Sequence, residues 1–191
     1  MHIHDFRLVP FNVPGAPVGS NTPPLAIEIT GTVVLDAGTV SVIYRISGAT
    51  ERVKFASTGT HPSRKNELWR TTCFELFVKL PAGPEYWEYN LASSRDWNAY
   101  RFSAYRSALQ QEPHIADVTI ATESSQANLS SLRATLPLPP PLLDQKLAIG
   151  ISSVIEDRAG HLHYFALRHG GVKPDFHDPA GFVLSFDPAP A

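Results

Sequence analysis

Cys73-Phe-Glu-Leu-Phe-Val-Lys79 and Tyr86-Trp-Glu-Tyr-Asn-Leu91, joined by Leu80-Pro-Ala-Gly-Pro-Glu85, are the stretches whose reading decides the fold. Apolar and polar residues alternate with period two in both, and side chains along a strand alternate between faces. Cys73, Glu75, Phe77 and Lys79 therefore share one face, and so do Tyr86, Glu88 and Asn90. A hairpin about Ala82-Gly83 places Glu75 opposite Asn90 and Phe77 opposite Glu88. A slip by two residues places Glu75 opposite Glu88, and only a slip by one would part the polar set.

Outward from this pair, the same spacing recurs. Ala26 to Leu35 and Val40 to Ile46 read as a hairpin across Asp36-Ala-Gly38, and Lys146 to Glu156 with Leu162 to Arg168 as another across Asp157-Arg-Ala-Gly160. Trp97 to Tyr105, Ile115 to Ala121, Leu129 to Leu136 and Phe182 to Phe186 complete the strand set. A short helix is an option near Ser103–Gln111. Leu136-Pro-Leu-Pro-Pro-Pro-Leu142 cannot lie inside a sheet, because proline offers no ladder donor, and reads as an exposed polyproline connection. Many short strands with turns between them predict an all-β, antiparallel two-sheet β-sandwich, one domain spanning 1–191.

The next strand, turning about Ser94-Arg95, is expected to place Arg101 opposite Glu88 and Ala99 near Asn90. The face then carries two carboxylates, an amide and a guanidinium fork, a mixture suited to hydroxyls that both donate and accept. Trp69, just before the first strand, could lie flat on a sugar ring. Phe74, Leu76, Val78, Trp87, Tyr89 and Phe102 are expected in the sandwich core. His169, Lys173, Asp175 and His177 sit in a loop expected to close one end of the site. A solvated strand face with an ordinary Glu88–Arg101 surface pair is the plainer reading of the same residues.

Composition narrows the partners. A formal charge of −2 gives no basic footprint for nucleic acid and no polybasic patch for anionic lipid. The single cysteine, Cys73, excludes a disulfide framework and a multi-thiolate metal site. No secretory signal and no apolar run of membrane-spanning length is visible, so a cytoplasmic location is expected. A metal site could draw on His161, His163, His169, His177, Asp175 and Asp178, but their spacing matches no structural zinc pattern. Met1 is the only methionine, which removes methionine–histidine haem ligation. Bis-histidine or lysine ligation stays formally open, and no cofactor is expected.

Leu68-Trp69, Thr72-Cys73-Phe74-Glu75, Glu88-Tyr-Asn90, Trp97-x-Ala99-Tyr100-x-Phe102-x-x-Tyr105-Arg106, Val154-Ile-Glu-Asp157, Tyr164-x-Ala166-Leu167-x-His169 and Lys173-Pro-Asp-Phe-His177 together resemble the stand-alone DOMON-like proteins of bacteria. These are related to family-nine carbohydrate-binding modules and to haem- or sugar-binding DOMON sandwiches. The resemblance runs from about Glu67 to the C-terminus and implies a jelly-roll-like sandwich with a ligand face. It implies a saccharide end held between two tryptophans, with glutamate, arginine and asparagine on its hydroxyls. Trp69 and Glu75 keep that spacing. No tryptophan follows Trp97, so the second ring is either missing or replaced by Tyr164 or Phe176, and Glu88 stands where the pattern holds arginine.

The expected ligand site is thus Trp69, Glu75, Glu88, Asn90, Arg101, His169, Lys173, Asp175 and His177, taking a saccharide-like molecule without turnover. The competing chemistries are glycoside hydrolysis by Glu75 and Glu88, and a haem- or metal-binding domain.

Overall fold

The computed structural model describes residues 2–11, 24–36, 38–57, 61–125 and 128–188. Its strands, in chain order, are β1 (His2–Arg7), β2 (Val9–Pro10), β3 (Ile27–Asp36), β4 (Thr39–Gly48), β5 (Cys73–Lys79), β6 (Tyr86–Leu91), β7 (Trp97–Phe102), β8 (Gln110–Gln111), β9 (Thr119–Ser125), β10 (Asn128–Pro137), β11 (Leu147–Glu156), β12 (Leu162–Ala166) and β13 (Leu184–Phe186). One antiparallel sheet runs β1-β3-β4-β10-β9. The other runs β2-β12-β11-β5-β6-β7-β8, with β13 paired to one end of β11. The protein is an all-β, two-sheet antiparallel sandwich.

The two sheets pack through the inward residues of each alternation. Ile29, Val33, Val42, Tyr44, Leu132 and Leu136 meet Phe74, Leu76, Val78, Trp87, Tyr89 and Leu91. Hydroxyls cross the gap without leaving orphan groups: Tyr44 donates to the Glu75 carbonyl at 2.8 Å, and Tyr89 donates to the carbonyl of Pro137.

The β5–β6 register pairs Glu75 with Asn90 and Phe77 with Glu88, as the simplest hairpin requires. Both strands are buried along almost their whole length, on both faces. Their outward residues lie beneath a second apolar cluster in which Phe77, Tyr86, Tyr100 and Phe102 pack with Trp69, Phe176 and Phe182. Loops therefore cover this sheet's outer face, and the polar set on it is not a solvated surface. Gly150 on β11 lets one cover approach, since a Cβ there would come 3.3 Å from the Gly181 carbonyl oxygen.

Several expectations change. The β6–β7 turn holds five residues, closed by the Ala92 amide donating to the Asp96 carbonyl at 2.9 Å, with Arg95 in the left-handed region. Glu88 consequently faces Tyr100, Asn90 faces Asn98, and Arg101 faces Trp87. This one-residue difference moves Arg101 to the other face and brings Phe102 out of the expected core into the outer cluster. No helix forms near 103–111. The chain instead turns at Ser103–Ser107 and adds β8 beside β7. The proline-rich connection is not wholly exposed, because Leu138 and Leu142 are buried and Pro140–Leu142 forms a 3-10 turn. The sheet edge β1 was not anticipated, and the strand placed at Ile115 begins at Thr119.

Candidate functional site

The covered outer face contains a cavity of about 450 Å³. Glu75 and Glu88 line it, and both are buried. Trp69, Phe102, Tyr164 and Phe176 supply aromatic walls, Val154 and Leu162 aliphatic ones, and Arg70, Arg106 and His177 complete the polar lining. Trp69 comes from the 3-10 turn Leu68–Arg70 and stands edge-on to Tyr100 at 5.6 Å. The two rings named for the missing second tryptophan, Tyr164 and Phe176, stand together on the cavity wall, 6.0 Å apart.

The strand pairing makes Glu75 and Glu88 diagonal neighbours across β5 and β6. Ser152, opposite Glu75 on β11, donates to its Oε2 at 3.2 Å. Asn90 donates to Glu88 Oε1 at 2.7 Å. Burial pushes the Glu75 carboxyl well above the ordinary carboxylate range, and the charge of Glu88 pushes it further. Burial raises Glu88 to about 7, against the Asn90 hydrogen bond and the Arg106 charge. Burial thus favours the protonated forms of this pair, which can donate as well as accept.

A second polar group is built around Tyr86. The Arg106 backbone amide donates to Tyr86 Oη at 3.1 Å, so the Tyr86 proton is directed to His177 Nδ1 at 2.7 Å. His177 Nδ1 is then an acceptor, and its ring proton sits on Nε2. Burial and the Arg106 charge lower the His177 pKa to about 4, which fits a neutral imidazole. Asp175 accepts from Arg106 Nη2 at 2.9 Å, from the His177 amide at 3.1 Å and from the Tyr105 hydroxyl. It thereby ties the loop that bears His177 to the turn that bears Arg106.

Those turns hold non-glycine residues in the left-handed region. Glu67 precedes the Trp69 turn with φ 61°, while Arg106 and Ala108 each have φ 50°. Such conformations cost of order 1–3 kcal/mol and gather where geometry serves a ligand.

Of the residues expected from sequence, the structure brings Trp69, Glu75, Glu88 and His177 to the cavity. Asn90 lies fully buried behind Glu88 and positions it. Asp175 supports Arg106 and His177 from outside the lining. His169 donates through Nε2 to the Val9 carbonyl at 3.0 Å and packs against Phe11 and Phe176, while Lys173 is exposed. Arg101 is far from its expected role. It is ion-paired to Glu85 at 2.6 Å and lies over the Trp87 ring on the opposite face.

The positive charge near the carboxyl pair comes from Arg106, which the resemblance pattern contains without a role and which no strand periodicity reaches, because it follows an irregular turn. Tyr86 was legible on the correct face, but nothing local shows that its hydroxyl meets the C-terminal loop. His161 and His163 both meet Asp157 Oδ2, at 3.1 and 3.2 Å. Among the described residues no group of three or more His, Cys, Asp or Glu side chains could hold a metal. Among them, too, no helix is long and apolar enough to cross a membrane.

No protein-family model and no curated protein sequence matches the chain. Among solved structures, a family-nine carbohydrate-binding module from Caldicellulosiruptor kristjanssonii, solved with glucose and with cellotriose, is 10% identical with a TM-score of 0.44. That match covers 76% of this chain and 69% or 68% of the module. A candidate carbohydrate-binding protein from Bacteroides uniformis is similar over 94% of this chain and 84% of its own, at 14% identity and a TM-score of 0.65, a likeness of fold.

Proposed function

We propose that the protein binds a small saccharide in the cavity on the outer face of its larger sheet, without turning it over. The observation that carries this reading is the pairing of buried Glu75 and Glu88 with flat aromatic walls in one cavity of about 450 Å³. Apolar walls with a few convergent polar groups are the usual make-up of a small-ligand site. Trp69, Tyr164 and Phe176 offer surfaces for the C–H faces of a sugar ring, and the carboxyl pair offers both donors and acceptors to its hydroxyls. The sandwich shared with the Bacteroides uniformis protein is consistent with this use. So is the DOMON-like pattern in the sequence.

Calorimetric titration with mono- and disaccharides tests it. A saturable neutral sugar should bind, and Trp69→Ala should weaken it at least tenfold, about 1.4 kcal/mol. Arg101→Ala, on the other face, should leave affinity unchanged. Absence of any saturable sugar, or full affinity in Trp69→Ala, would overturn the reading.

The buried acid pair also favours a second reading, glycoside hydrolysis. That chemistry needs surroundings that drive the two pKa values apart, one acid protonated and one ionised. Here burial drives both upward. Hydrolysis of aryl glycosides that disappears in Glu75→Gln, with binding retained, would put catalysis first.

A further inference from the structure

We propose that the saccharide taken by this cavity is an acidic one, a uronic or aldonic acid whose carboxylate lies against Arg70 and Arg106. This deepens the saccharide reading above and rests on it. Among the described residues, the two arginines are the cations lining the cavity, and they reach it from separate turns, Leu68–Arg70 and the segment after β7. Arg70 is exposed and contacts Glu67 through one Nη2 at 2.8 Å. Arg106 contacts Asp175 through one Nη2 at 2.9 Å. A guanidinium carries five N–H donors, so each arginine is held in place with donors left for a planar, two-oxygen acceptor.

The remainder of the lining does not oppose an anion. Glu75 and Glu88, on the neighbouring strands, are buried and drawn toward their neutral forms. His177 contributes a ring N–H, and its Nδ1 is turned away to Tyr86. The other walls are apolar or aromatic. A neutral sugar would offer the arginines only uncharged hydroxyl oxygens, whereas a carboxylate offers a charged, two-oxygen acceptor. A phosphorylated sugar would bring two charges to cations already shared with Glu67 and Asp175, so the carboxylate, with one charge and a matching fork, is the better complement.

Titration of the purified protein with glucuronate, galacturonate, gluconate, glucose, galactose and glucose 6-phosphate decides it. At least one acid should bind tenfold or more tightly than its neutral parent, and more tightly than the phosphate. That preference should shrink severalfold in Arg70→Gln, whose site is exposed and folds readily, and should return in part in Arg70→Lys. Arg106→Gln, checked by its melting transition, should shrink it further. Neutral sugars binding as well as the acids would overturn this inference and leave the saccharide reading intact. Tighter binding of the phosphate would overturn the carboxylate assignment. Failure of every sugar would overturn both readings together.

Discussion

Replacing Glu88 by glutamine should raise the stability of the protein at pH 8 by about 3 kcal/mol, and replacing Glu75 as well should reverse the sign of its pH dependence. The folded-state pKa of Glu88 is raised from 4.5 to about 7 by burial. Between those values the folded chain holds more protons than the unfolded one. Its contribution is therefore complete below pH 4.5 and is lost as pH rises through 7. Glu75 is pushed in the same direction and adds to the decline. His177 works oppositely, because burial lowers it from 6.5 to about 4. Across that interval the unfolded chain binds more protons, so His177 makes stability rise with pH.

In the native protein the falling contributions of two carboxyls outweigh one rising contribution, and stability should decline from pH 5 to 8. The depressed acids, Asp96, Asp157, Asp175, Asp187 and Glu112, act below this window. With both glutamates replaced, the decline should vanish and the upper part of the His177 rise, between about pH 5 and 6.5, should stand alone. Urea unfolding at half-unit pH steps measures this directly. A double variant that kept the native decline would show that the acids are not the source of it.

How much of this could be read from the chain depends on the range of each interaction. The face assignment of β5 and β6 was legible because alternation on both sides of a short loop leaves little freedom: either register with Glu75 near Asn90 or Glu88 buries Phe74, Leu76, Val78, Trp87 and Tyr89 together, and the structure takes the simpler one. It also put Glu75, Glu88 and Asn90 on one face without further information. The β6–β7 register was not legible, since five turn residues rather than four shift Arg101 by one place and a one-place shift changes its face. The role of Arg106, a residue of the DOMON-like pattern that carried none, was hidden for a different reason. It belongs to no periodic segment, and its relation to Asp175 spans a sequence separation of 69 residues, set only once the C-terminal loop has folded over the sheet. That loop is also why the outer face looked like a solvated one. Period-two spacing shows that residues share a face, but not what covers it.

Removing one oxygen at the centre of that cover should have the widest consequences. Tyr86→Phe keeps the ring stacked on Phe102, whose centroid lies 4.6 Å away with the planes 6° apart, so packing is preserved. It deletes the donor to His177 Nδ1 and the acceptor for the Arg106 amide, two bonds that join β6 to both loops. Each lost bond is worth about 1 kcal/mol, and a partner stranded away from water adds to this, so destabilisation of about 2–4 kcal/mol is expected. The larger change should be in function. His177 and Arg106 both contact this hydroxyl, which joins the turn at Arg106 to β6, while Asp175 and the Ser103–Ser107 hydrogen bonds hold that turn from the other side. Saccharide affinity should therefore fall by more than tenfold in a protein whose sandwich remains folded. Comparison of calorimetric titration with the unfolding transition separates the two effects. Lost stability with unchanged affinity would reduce Tyr86 to a packing residue and leave the cavity's polar lining dependent on Asp175 alone.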